Sequence, residues 1–419
     1  MSRNALFRAA ALVAAVLLLP GAAPAQEDVS GGPIYLMGAN VLDGQSPEPI
    51  MNATVVISDG RITRVERDGR VAVPADARVF DLSGLWIVPG LTDAHSHVNT
   101  LEGVRRALES GVTLIRTAGV GGYADVAIRD LVRAGTLPGP DILATGVYVT
   151  PNLGDAILAD PALYPLADGA ESLEELRLLV RTNIAHGVDW MKTRGTERAG
   201  LPETDPREQV YSEEQLRVIV EEAALGGVPI HAHAHGDEGI RAAVLAGVRS
   251  IEHGTYATEE TLQLMRERGT FLVPTLSSIS SFGQSGDYAD PRLFLRGLHM
   301  APRRRAAAAR AYELGIPVVT GADTSYGPES FARISREVEF LVDVGVSPWD
   351  ALRGATSLAA ELLGVGDQTG SVREGLEADL LVIDGNPLEN IRALQDALMV
   401  ISNGNVVVNR LPFGKPRTE

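Results

Sequence analysis

The sequence predicts an α/β fold: a (β/α)8 TIM-type barrel carrying a small β-sandwich to which both chain ends contribute. Three observations predict it. Between residues 89 and 365, eight short apolar segments alternate with longer helical ones. On either side, residues 26–88 and 366–419 read as short alternating strands broken by turn residues, the signature of a sheet shared by both ends. And most of the eight histidines fall at the ends of the apolar segments, where barrels of this class keep their chemistry.

Taken in order, residues 1–25 stand apart. Arg3 and Arg8 precede the apolar run "AAALVAAVLLLP", and "APA" (Ala23 to Ala25) offers small residues before a cut at Gln26. That order reads as a signal peptide, so the mature chain is expected to be exported, periplasmic or secreted, without a membrane span after cleavage. The chain has no cysteine, so stability must come from its core and from metal. The first sheet portion contains "PIYLMGANVLDG", "ATVVISDGRITRVER" and "ARVFDLSG", and the pattern returns in "GSVREGLEADLLVIDG" and "ALMVISNGNVVVNR". The barrel strands are read as "LWIVPGLTDAH", "VTLIRT", "DILATGVYV", "VDWMKT", "VPIHAHA", "RSIEH", "TFLVP" and "IPVVTGAD". The helices between them include "SLEELRLLVRTNIAHG" and "SEEQLRVIVEEAALGG". The net charge of −17 repels phosphate backbones and excludes nucleic acid as a partner class. A homo-oligomer is compatible with the sequence.

The strand ends deliver His95 and His97, Lys192, the run "HAHAH", His253 and Asp323. In "HSH", side chains two apart on a strand face one side, so both imidazoles can share one ion. Each residue alone also has a plain structural reading: backbone-bonded strand-end histidines, a helix N-cap for Asp323, a packed core histidine for His253, a solvent-reaching lysine for Lys192. Convergence of imidazole and carboxylate from five strand ends on one place favours a divalent metal. His231, His233 and His235 would all face the axis; His186 and His299 fall away from strand ends and read as structural.

In these segments the chain resembles the metal-dependent amidohydrolase superfamily. "VPGLTDAHSH" is similar to its first barrel strand, "GVDWMKT" to its lysine strand, "HAHGDEG" and "SIEHG" to the fifth and sixth, and "VVTGADT" to the eighth. Within the superfamily it looks closest to the imidazolonepropionase-like branch, which includes Xaa-Pro dipeptidases. The resemblance implies two divalent ions, normally zinc. One would be held by His95, His97 and Asp323 and the other by His233 and His253, with Lys192 bridging them as a carbamate formed from CO2. It also implies amide hydrolysis by a metal-activated hydroxide, with Asp323 as general acid and base acting on a small-molecule amide or peptide. His231 is then expected in an interior layer and His235 at the mouth, against substrate. Arg194, two residues beyond Lys192, suits a substrate carboxylate or else a salt bridge to the acidic loop that follows; Tyr148 is expected to line the pocket. "TRGTERAG" departs from the glycine-rich continuation of dipeptidase-type relatives, so a strict Xaa-Pro specificity is not implied. A cyclic-amide or lactone hydrolase would share the whole site, and a mononuclear deaminase would use the same residues without Lys192 as ligand.

Overall fold

The computed structural model describes residues 32–67, 71–280, 282 and 290–411. The expected signal segment lies outside them. Among the described residues, no helix is long and apolar enough to cross a membrane.

Both ends of the chain enter one hydrogen-bonded sheet. Its N-terminal strands are β1 (Ile34–Val41), β2 (Ile50–Ser58), β3 (Arg61–Glu66), β4 (Arg78–Asp81) and β5 (Trp86–Pro89). The strands that follow are β6 (Leu91–Ser96), β7 (Val112–Thr117), β8 (Asp141–Leu143), β9 (Met191–Arg194), β10 (Ile230–Ala234), β11 (Ser250–His253) and β12 (Phe271–Val273). The last three, β13 (Leu380–Ile383), β14 (Met399–Ser402) and β15 (Asn405–Asn409), return to the first sheet in the order β15-β14-β13-β5-β1-β2-β3, with β4 beside β1. Alternate residues Ile34 and Leu36, Val55 and Ile57, Leu380 and Val382, and Met399 and Ile401 bury one face into a core of their own.

The middle strands form two parallel sheets, β6-β7-β8 and β9-β10-β11-β12. Backbone hydrogen bonds connect them on both flanks. On one side Trp190 N donates to Ala144 O (3.1 Å) and Val149 N to Lys192 O (2.9 Å). On the other, residues 316–324 run between β12 and β6: Val319 N donates to Leu272 O (2.9 Å), Ala94 N to Thr320 O (3.1 Å) and Asp323 N to His95 O (2.7 Å). The third and eighth expected strands are therefore less regular than their apolar patterns suggest. "DILATGVYV" is regular only over β8 because Gly146 turns left-handed (φ +63°), and the eighth segment pairs only at Val318 and Thr324, with Asp323 at φ +52°.

Helices alternate with these strands: α1 (Leu101–Glu109), α2 (Ala124–Arg133), α3 (Leu173–Ala185), α4 (Glu213–Leu225), α5 (Asp237–Ala246), α6 (Glu259–Arg268), a short α7 (Leu276–Ile279) and α8 (Pro291–Glu313). α9 (Ile334–Asp343), α10 (Pro348–Gly354) and α11 (Ser357–Leu363) complete the set. The sequence marks several starts: Ser172 with Glu175 and Ser212 with Gln215 form reciprocal capping boxes on α3 and α4, each satisfying donors that a bare helix end leaves open. Leu176, Leu179 and Val180 of α3 and Leu216, Ile219 and Ala223 of α4 turn their apolar stripes into the core between helix and strand.

Candidate active site

Between the parallel sheets Ala94, Leu114, Trp190, Phe271, Val273 and Val319 share one apolar cluster, and next to Trp190 the filling turns polar. Arg116 of β7, His231 of β10 and Glu252 of β11 are fully buried there. Glu252 is the centre of this group. Its carboxylate accepts from Arg116 Nη2 (2.9 Å), from Ser250 Oγ (2.6 Å) and from His95 Nδ1 (2.5 Å). Burial works to raise its pKa, yet Arg116 and the neighbouring imidazoles hold it well below the usual carboxylate range. Arg116 in turn lies over Trp190, 4.7 Å from the ring centre. His231 Nδ1 is 3.4 Å from Glu252 but off the hydrogen-bond line, so neither of its ring nitrogens is bonded.

Above this layer stand the expected residues. With Nδ1 tied to Glu252, His95 directs Nε2 at Lys192 Nζ (3.2 Å) and Asp323 Oδ1 (3.5 Å). His97 Nδ1 meets the carbonyl of Gly119 (3.3 Å), and its Nε2 meets Asp323 Oδ1 (3.1 Å). His97 is the outermost of the set, its side chain 43% exposed. His253 and His235 follow the same rule, with Nδ1 on the hydroxyls of Thr275 (2.7 Å) and Thr255 (2.8 Å). His233 is inverted: its Nε2 meets Glu197 O at 3.1 Å, which leaves Nδ1 as its open nitrogen. An imidazole anchored through one nitrogen and open at the other is how a histidine is held for a metal.

Burial does the electrostatic work. It pulls the His95 imidazole down to about 4, with Lys192 adding to the effect, and lowers His233, His235 and His253 well below the ordinary value. All four are therefore neutral at pH 7, the form that binds a cation. Burial likewise pulls the Lys192 ammonium down to about 8, so about a tenth is free amine at pH 7. Asp323 stays ionised: burial opposes its charge, but His95, His97 and Lys192 hold it well below the usual range.

Two groups could each take an ion. His95, His97 and Asp323 bring ligand atoms within 4.8 Å of one another, as do His233, His235 and His253. Imidazoles plus one carboxylate suit a borderline divalent cation such as zinc, so the donor set fits. A third such group, Asp141, Glu377 and Asp379, lies away from these strand ends, where β8 and the approach to β13 meet.

The substrate-side residues fall differently. His235, expected at the mouth, is 1% exposed and stacked on His253 (4.7 Å between centres, 16° between planes). It is buried because Gly236, which opens α5, packs against the backbone of Arg207 in the overlying loop. Arg194 follows the second of its two readings: Nη1 pairs with Glu197 Oε2 (3.0 Å) and Nη2 donates to the hydroxyl of Thr150, so its charge is already answered. Tyr148 is half-buried, its ring 5.9 Å from Lys192 Nζ and 5.8 Å from the Arg194 guanidinium. Residues that strand-end reasoning missed are the supports: Glu252, Arg116, Thr255, Thr275 and Arg304.

The sequence profile of the amidohydrolase family matches residues 86–407. Ochratoxinase of Aspergillus niger is 30% identical over 416 aligned residues, covering 87% of this chain and 84% of that protein. An imidazolonepropionase of Thermoplasma volcanium is 24% identical, covering 86% and 92%. The crystal structure of a Xaa-Pro dipeptidase with methionine bound in its active site superposes with a TM-score of 0.81 at 25% identity, covering 90% of this chain and 99% of that one. With strand-end histidines, lysine and aspartate in the order the motifs require, and with the family profile spanning both parallel sheets, this chain belongs to the amidohydrolase family, a family of hydrolases.

Proposed function

We propose that the chain is a binuclear metal-dependent hydrolase that cleaves an amide bond in a dipeptide or N-acyl amino acid. The observation that carries this reading is the position of Lys192: buried, with its amine partly neutral, and 3.2 Å from His95 Nε2. A mononuclear site has no use for a buried amine there, whereas a free amine can add CO2 and release a proton to solvent, giving a carbamate anion that two cations would stabilise. His95, His97 and Asp323 would hold one ion, and His233 and His253 the other, with His235 within reach of it. We read the two parallel sheets, joined on both flanks, as the closed barrel that presents this site, and the sheet of both chain ends as its sandwich.

When bound, two divalent cations supply hydroxide at neutral pH and polarise the scissile carbonyl. The chain's own part is positional and acid–base. Asp323, ionised and about a quarter exposed, accepts the proton of the attacking water and returns it to the leaving amine, so that N–C cleavage ends in a carboxylic acid and a neutral amine. Names among the relatives, an ochratoxinase and a Xaa-Pro dipeptidase, support an amide substrate. A cyclic-amide or lactone substrate is the second reading, favoured by the Arg194–Glu197 pair, which leaves Arg194 little call for a substrate carboxylate. The test is a metal count on the purified protein, followed by a panel of dipeptides, N-acyl amino acids, cyclic amides, lactones and aminated heterocycles. Two ions per chain and turnover of linear amides are expected; one ion with deamination alone would overturn the proposal.

A further inference from the structure

Helix α8 carries a run of three arginines, Arg303 to Arg305, of which the middle one is buried. Arg304 is 2% exposed and faces the active-site axis. Its Nε donates to Thr255 Oγ1 (3.2 Å), and its Nη1 to Thr275 Oγ1 (3.1 Å), Thr275 O (3.0 Å) and Ser278 Oγ (3.3 Å). Those two threonine hydroxyls are the Nδ1 partners of His235 and His253. One guanidinium therefore stands behind two imidazoles, and the two rings it backs are nearly parallel.

We propose that Arg304 is the positioning residue of the His235–His253 pair, setting where the open Nε2 of His253 meets a metal ion and holding His235 stacked beside it. The proposal rests on the metal-dependent reading above. An imidazole on a single χ2 torsion sweeps its far nitrogen through several ångströms, and a hydroxyl alone does not stop it, because a threonine can turn about its own χ1. Arg304 fixes both hydroxyls from one rigid planar fork, which a point-charge lysine cannot do. It also grips the carbonyl of Thr275, whose backbone is left-handed (φ +52°), an unfavourable conformation for a β-branched residue and one that persists only when surroundings over-determine it. The signal in the sequence is weak but real: Arg304 falls on the stripe Met300, Ala307, Ala308, Ala311, the buried face of α8.

The test measures zinc affinity by competition with a chromogenic chelator, and the visible absorption of the cobalt(II)-substituted protein, for wild type, Arg304→Met, Arg304→Lys, Thr255→Val and Thr275→Val. Outer partners of metal-bound histidines contribute about 10- to 100-fold in metal affinity. Arg304→Met is expected to weaken one of the two ions by that factor and to alter the cobalt spectrum. Arg304→Lys should recover little, each Thr→Val should reproduce part of the loss, and Thr275→Val added to Arg304→Met should cost less than it does alone. If Arg304→Met fails to fold, the near-isosteric threonine variants carry the test. Unchanged affinities and spectra in the folded variants would overturn the proposal, even if their melting temperatures fall. A wild type that binds no metal would overturn the hydrolase reading itself, and the proposal with it.

Discussion

Asp379 offers a prediction that does not pass through the active site. It sits just before β13, 2% exposed, and its oxygens lie within 4.8 Å of those of Asp141 at the start of β8 and of Glu377. Asp379 Oδ2 accepts from Thr369 Oγ1 (2.6 Å) and Oδ1 from Asn403 N (2.9 Å), while Asp141 accepts from Asn403 Nδ2 (3.1 Å). The nearby cations are distant or shared: Arg61 pairs with Glu377 at 3.4 Å, Arg133 acts weakly on Asp141, and Asp367 adds further negative charge near Glu377. Burial, then the charge of Asp141, pushes Asp379 up to about 7 from 3.8. Because the folded state holds the proton more tightly than the unfolded chain, this group favours folding fully below about pH 4, loses that advantage as pH rises towards 7, and contributes a constant penalty above. About three pKa units set a ceiling of roughly 4 kcal/mol. Asp379→Asn keeps the shape, can accept from Asn403 N and can donate to Thr369 Oγ1, so it removes the charge at the cost of about 1–2 kcal/mol of charge-assisted hydrogen bonding. The variant should therefore be about 2 kcal/mol more stable than wild type at pH 8, and equal or slightly less stable at pH 5. Urea unfolding at both pH values measures it. A variant shifted by the same amount at both would refute the reasoning, since a packing or hydrogen-bond defect has no reason to follow pH.

Two further outcomes follow from the site. Glu252→Gln leaves Arg116 and His95 facing an amide that cannot accept from all three present donors; removing one partner of such a buried pair costs about 3–5 kcal/mol, and a thermal melt within a degree of wild type would contradict the network described. Arg194→Met, by contrast, should change the ratio of rates on a free-acid substrate and its C-terminal amide by less than about threefold, because Glu197 already neutralises the guanidinium; a tenfold loss confined to the acid would show that substrate displaces Glu197.

The parts of this site legible in the sequence were those with a local signature. Alternation on a strand placed His95 with His97 and aligned the run ending in His235, and strand-end position gathered Lys192, His253 and Asp323. What alternation could not give was depth. His235 lies one step beyond His233 towards the strand end, and so reads as a mouth residue; only the loop that reaches over Gly236 makes it an interior one. The supports were hidden for another reason. Glu252 reaches His95 across 157 positions and Arg116 across 136, and no periodicity links residues on different strands. Arg304 alone has a local clue, its place on the apolar face of a helix.

The backbone shows where the fold departs from its own regularity to build this site. Of the non-glycine residues with positive φ among the described residues, His253, Thr275, Asp323 and Tyr326 gather at the ends of β11, β12 and the eighth segment. A regular strand would send Glu252 and His253 to opposite faces. At φ +76° His253 leaves the strand conformation, and its ring comes within 4.6 Å of the His233 ring although Glu252 also points inward. Adjacent residues thereby serve successive layers, one carboxylate below and one imidazole above. Such conformations cost about 1–3 kcal/mol each and need tertiary bonds to hold them. Those bonds are present: Asp323 N on His95 O, Arg304 on Thr275, and Tyr326 Oη on buried Asp93 (2.8 Å), whose other oxygen accepts from His95 N and Ala322 N. Asp93 thus ties the first and eighth segments together one step below His95, and the same hydrogen bonds that offset the strain set the separation of His95 and Asp323. Strain and ligand geometry are in this sense one feature.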